Sequence, residues 1–183
     1  MDRQSAWELL NEYTKNPNLI KHALAVEAAM RAYAEKFGED IETWGVVGLL
    51  HDFDYEKYPT AEDHPFRGAE ILRDKGLDES LIKTMMSHAD YTGIPRDTRM
   101  AKTLFAVDEL TGFIIAVALV RPDKKIATVK PSSVKKKFKA KAFAAQVSRE
   151  DMIKGAEELG VELTEHIEVV LEAMKNIAAE LDL

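Results

Sequence analysis

Residues 44–52 read WGVVGLLHD, and the fold turns on how that run is taken. Seven consecutive residues suited to burial are consistent with a buried strand or a buried helix, and periodicity alone does not separate them. The rest of the chain decides. No other segment offers a convincing partner strand, whereas helical spacing recurs almost throughout. Trp44–Leu50 is therefore predicted to be a helix, with Gly45 and Gly48 allowing a neighbour to approach closely. The run then ends by delivering an imidazole and a carboxylate side by side, His51 and Asp52, with Asp54 and Glu56 just beyond.

Outward from that run, Leu19, Ala23, Val26, Met30, Tyr33 and Phe37 recur at alternating steps of four and three, one face of an amphipathic helix closed by Gly38. Pro65 suits the first turn of a helix running to Lys75. Asp78 is read as the N-cap of a helix carrying Leu81, Met85 and His88 on one face. Asp97 is read as the cap of a long helix from Thr98 to about Leu119. Ser148 with Asp151 resembles a capping box, and Thr164 is read as the cap of the last helix. The stretch 121–134 is expected to be the longest irregular piece. An all-α single domain follows, with no linker or repeat.

Composition is that of an ordinary globular protein: 183 residues, 46% hydrophobic and 31% charged. No apolar run approaches the roughly 18 residues that span a bilayer. The first residues, MDRQSAWELLNEY, do not read as a signal peptide. Cysteine is absent, so thiolate ligands and disulfides are excluded, and a cytoplasmic location is expected. A net charge of −7 disfavours general nucleic-acid binding. Against that balance, 121–141 carries nine Lys and Arg and only Asp123 as an acid, which suits a substrate phosphate, a polyanion or simply a solvated helix.

Three polar residues fall on apolar helix faces. His22 borders the stripe of Leu19 and Val26, His88 shares the face of Leu81 and Met85, and Asp108 sits among Ala101, Leu104, Phe105, Thr111, Gly112 and Ile115. A buried carboxylate needs a cation or strong donors. Arg96, Arg99 and Lys102 are candidates for Asp108. One divalent ion answers the same need for His22, His51, Asp52, His88 and Asp108 together. Imidazole and carboxylate donors suit Mn, Fe, Zn, Co or Ni, and a carboxylate-rich site also suits Mg. His166, in the first turn of the last helix, is expected at the surface.

The order His22, His51-Asp52, Asp108 across helices resembles the H…HD…D pattern of the HD superfamily of metal-dependent phosphohydrolases, over about residues 19–111. The resemblance implies a helical bundle in which these four residues hold a divalent metal, with 131–183 a C-terminal helical extension. HPFRG at 64–68 is similar to the H-P-x-x-G motif of the binuclear branches. That likeness implies a second ion on His64 and His88, bridged by Asp52. The GYP signature and the paired histidines of the cyclic-dinucleotide branch are missing, since Ala89 follows His88. The layout also resembles small bacterial HD hydrolases, in which a lysine commonly stands where this chain has Tyr55. One or two ions and a small phosphorylated substrate, a nucleotide being the leading class, are what the resemblance implies.

On that reading Asp52 holds metal and orients water, while Asp54 or Glu56 is a candidate general acid or base. Lys57, Arg96, Arg121 and Lys135 are candidate phosphate contacts. The alternatives are a nucleotide-binding regulatory domain without turnover, and a helical interaction module whose lysine-rich segment grips an acidic partner.

Overall fold

The computed structural model describes residues 1–183 and contains helices and turns but no strand. Nine helices follow in order: α1 (Arg3–Tyr13), α2 (Pro17–Phe37), α3 (Ile41–Leu50), α4 (Phe66–Asp74), α5 (Glu79–Met86), α6 (Arg99–Leu119), α7 (Pro131–Phe138), α8 (Arg149–Leu159) and α9 (Leu163–Asn176). Short 3₁₀ turns lie at Asp90–Thr92 and Ile126–Thr128.

The ambiguous run is helical. All seven residues Trp44–Leu50 are buried, which is why the segment shows no polar face to read. It packs along α2, with α1 and α5 on its other sides. At Gly48 a side chain would begin 3.0 Å from the Glu27 Cα, so the two backbones meet there. Glu27, itself buried, is paired with Arg3 of α1 (2.6 Å) and with Arg31 one turn along α2 (2.9 Å).

The other long helix, α6, packs on α2 and is covered by α8, while α9 packs against both α2 and α6. One core runs through the whole assembly, from Leu10 of α1 to Met174 of α9. The helix starts are set by side chains that accept from the first free N–H groups, including Asp40, Asp78 and Ser148. Two expected caps move. Thr98 rather than Asp97 caps α6, accepting from Ala101 N–H, and the last helix begins at Leu163, so Thr164 lies inside it. Pro65 stands just before α4 rather than in its first turn. The irregular stretch is shorter than expected, because α7 starts at Pro131.

His166 is the clearest departure. It is fully buried, not at the surface. Its Nε2–H donates to the Ala106 carbonyl of α6 (2.8 Å), and its Nδ1 accepts from the Tyr33 hydroxyl of α2 (2.6 Å). One imidazole thus joins three helices. Being well buried, it is held neutral, with its pKa pushed down to about 4.

Candidate metal centre

Six side chains converge from five places in the chain. His22 comes from the second turn of α2 and Asp108 from the middle of α6. His51 is the C-cap of α3, with Asp52 directly after it. His64 precedes α4, and His88 follows α5. They form two groups, His22–His51–Asp108 and Asp52–His64–His88, in each of which the donor atoms lie within 4.8 Å of one another.

The imidazoles are aimed by what their other nitrogen does. His51 Nδ1–H donates to the Gly48 carbonyl (2.8 Å), and His88 Nδ1–H to the Met85 carbonyl (2.6 Å). Each bond ties the ring to a carbonyl in the last turn of a helix. His64 Nδ1–H donates to Asp54 Oδ1 (2.8 Å). A carbonyl or carboxylate partner requires the proton on Nδ1, so in all three rings Nε2 is the nitrogen that faces inward and is the one able to ligate an ion.

Asp52 is where they meet. Its Oδ1 lies 3.1 Å from His88 Nε2 and 3.2 Å from His64 Nε2, and its Oδ2 lies 3.7 Å from His51 Nε2. Asp108 Oδ1 lies 3.0 Å from His22 Nε2 and 3.4 Å from His51 Nε2. Yet Asp52 Oδ1 and His51 Nε2 are buried without a partner in hydrogen-bond geometry. Buried polar atoms left in this state are costly. Two orphaned ligand atoms, one in each of the two His/Asp groups, fit divalent cations.

The electrostatics agree. Burial alone would hold His51 and His88 neutral, but Asp52 and Asp108 together outweigh it and raise both above the ordinary histidine value. For His64 burial is likewise overcome, by Asp52 and Asp54, and its pKa rises to about 9. Burial opposes ionisation of Asp52 and Asp108, yet the imidazoles hold both well below the usual carboxylate range. None of Arg96, Arg99 and Lys102 pairs with Asp108. Arg96 is bound to Glu158 and Asp90, and Arg99 approaches Glu39.

Five of the six, all but the fully buried His51, line a cavity of about 530 Å³, which Leu19, Tyr55, Tyr91, Phe105, Glu109, Gly112 and Asp151 also line. The structure does not bring Asp54 or Glu56 to it. Asp54 lies behind His64, where its second oxygen accepts from Gly68 N–H (2.8 Å). Glu56 is at the surface, accepting from the N–H groups of Lys15 (2.8 Å) and Asn16 (2.9 Å). The four basic residues nominated for phosphate are elsewhere as well. Lys57 lies over the Tyr13 ring, Arg96 stacks on Phe105 behind the wall, Arg121 bonds Thr128, and Lys135 bonds Thr164. No Lys or Arg lines the cavity.

Sequence reasoning missed Glu109, Tyr91 and Asp151. Glu109 follows Asp108 on α6, and burial, then Asp108, push its pKa up to about 7. Tyr91 lies in a 3₁₀ turn, where no periodicity marks it, and its hydroxyl donates to the His64 carbonyl (2.9 Å). The HPFRG motif gains a physical reading. His64 and Gly68 both grip Asp54, and a side chain at 68 would begin 2.7 Å from that carboxylate.

The HD domain model matches residues 19–112, half of the chain, and spans the four H…HD…D residues together with both His/Asp groups. The chain belongs to the HD-domain family. It is also 29% identical, over 112 residues, to the tRNA (cytidine(56)-2'-O)-methyltransferase of Thermoplasma volcanium, a match covering 56% of this chain and 33% of that protein. The chain therefore spans about a third of that relative's length. No solved structure matches.

Proposed function

We propose that this HD domain is a metal-dependent phosphohydrolase that cleaves a small phosphate ester or anhydride. The observation that carries the reading is the pair of His/Asp groups with inward Nε2 atoms and two buried ligand atoms left without a partner. His22, His51 and Asp108 would hold one ion and His64 and His88 a second, with Asp52 placed between them. Such ions supply a nucleophile near neutral pH and Lewis acidity toward a phosphoryl oxygen. Asp52 orients the attacking group through its two oxygens, and Tyr55, Tyr91 and Phe105 line the cavity around it.

The lining also bears on the substrate. With no Lys or Arg present and Asp90, Glu109 and Asp151 on the wall, only the ions would neutralise phosphate charge. That favours one phosphoryl group over a di- or triphosphate tail. Nucleoside monophosphates remain within this class, and the Tyr55 and Tyr91 rings offer faces on which a base can stack. The tRNA named for the relative is disfavoured, since a lining without cations has nothing to meet an RNA backbone.

The test is metal content and turnover together. Protein purified without chelator, or reconstituted with Mn, Fe, Co, Ni, Zn or Mg, should carry about two ions per chain and hydrolyse phosphomonoesters. His64→Ala should lose about one ion, and Asp52→Ala should lose turnover. Ion binding without turnover of any ester would favour a regulatory binding domain. Failure to bind any of these ions would sink the hydrolase reading.

A further inference from the structure

One glycine has no structural reason to be there. Of the nine in the chain, four take positive φ and four have the place of a side chain filled by neighbouring atoms; Gly112 has neither reason, and nothing lies within 4 Å of where its Cβ would start. Glycine inside a helix costs about 1 kcal/mol relative to alanine, so a mid-helix glycine without a packing partner asks for another explanation.

What borders Gly112 is open space on both sides. On one side is the metal-centre cavity. On the other is a groove of about 290 Å³ between the first turn of α2 and the second half of α6, walled by Ile115, Ala116, Leu119 and Leu181. Asp108, Gly112, Ile115 and Leu119 share one face of α6, so the cavity and the groove lie in line along about 16 Å of that helix, with Gly112 lining both. Leu119 is 49% exposed on that wall, apolar surface that no part of this chain covers. The cation at the groove's edge, Lys21, is held by Asp182 (2.9 Å).

We propose that the groove is the leaving-group subsite of this centre, and that Gly112 keeps the passage to it open for a phosphomonoester of an extended, largely apolar alcohol. This rests on the hydrolase reading above and narrows it. The shared helix face selects the occupant: beside a phosphoryl group at Asp52 and Asp108, the route across Gly112 is the one that leads to the uncovered apolar wall at Leu119. A side chain at 112 would stand in the passage without disturbing the fold.

The experiment compares methyl phosphate with n-hexyl phosphate on the Mn-reconstituted protein. Burying even half of the added methylenes gives the hexyl ester at least about a tenfold advantage in kcat/KM. Gly112→Leu should shrink that hexyl-to-methyl ratio to within about threefold, and Leu119→Gln, at a half-exposed position, should do the same. Equal kcat/KM for the two esters, or a ratio that neither variant changes, overturns the subsite. So does a nucleoside monophosphate used better than hexyl phosphate and indifferent to Gly112→Leu. A Gly112→Leu protein melting well below the wild type would also overturn it, because the passage would then be filled by packing. If no ester is turned over, the hydrolase reading fails separately. Calorimetric titration of the same Mn-loaded protein with both esters then decides: tighter hexyl binding lost in Gly112→Leu supports the subsite, and equal or absent binding overturns it.

Discussion

Asp54 shows how a residue that never faces the cavity can govern it. Its two oxygens accept from His64 Nδ1–H and from Gly68 N–H. Asn in its place has one acceptor for two donors, so either orientation sets N–H against N–H, or turns His64 to the tautomer with its proton on Nε2. Asp54→Asn should therefore weaken the ion held by His64 and His88 by about 10–100-fold and leave the His22–His51–Asp108 ion in place. Metal titration with stoichiometry checks this; two ions of unchanged affinity would exclude the role. His166 carries a second expectation. Its folded pKa of about 4 lies below the ordinary 6.5, so the unfolded chain binds the proton more readily. Its contribution is present above 6.5 and is lost as pH falls towards 4, about 2 kcal/mol between pH 7 and pH 5. The histidines around Asp52 have raised pKa values and shift stability the opposite way, so the signal is a difference. Wild type should lose about 2 kcal/mol more than His166→Gln over that interval in urea unfolding. Neither role was legible in the sequence. The face of a first-turn residue is poorly fixed until the cap is known, and α9 starts one residue before the expected cap at Thr164. Asp54 was seen, but its partners lie 10 and 14 residues away, a separation that only the fold closes.

At the scale of elements, close approach and open space make opposite claims on two helical glycines. At Gly155 of α8 a side chain would begin 2.6 Å from the Ala106 Cα of α6, backbone that cannot step aside. Gly155→Ala should destabilise by about 2 kcal/mol. Gly112→Ala meets nothing and gains helix propensity, so it should stabilise by up to about 1 kcal/mol. Denaturant midpoints of the two variants, at unchanged m-value, check both signs. The elements themselves were largely legible: the stripe from Leu19 to Phe37 and the caps Asp78 and Ser148 report local physics, and local physics holds here. The run Trp44–Leu50 was legible only by elimination, because a helix buried on every side erases the period that would announce it. The substrate contacts were not legible at all. Lysine density in 121–141 reports charge along the chain, and α7 spends that charge at the surface, where Lys135 bonds Thr164.

For the whole molecule, the metal centre and the fold share one set of charges. Asp52, Asp54 and Asp108 draw on the imidazoles that separate helices bring to them, and without an ion the protons on His51, His64 and His88 supply the positive charge. An ion must displace those protons, since only the neutral imidazole is a ligand. With His64 raised to about 9, binding near pH 7 should release protons, and apparent affinity should climb by up to about tenfold per pH unit for each proton displaced. The climb should level off as pH passes about 9, where His64 has already lost its proton. Calorimetric titration of Mn in buffers of differing ionisation enthalpy counts the protons released, and repetition across pH gives the slope. The same linkage reaches stability. At an ion concentration about a hundred times Kd, loading adds about 2.7 kcal/mol to unfolding, and this increment should grow with pH as affinity does. Affinity independent of pH, with no proton released, would mean that the imidazoles are already neutral and that the carboxylates are balanced by something other than these histidines.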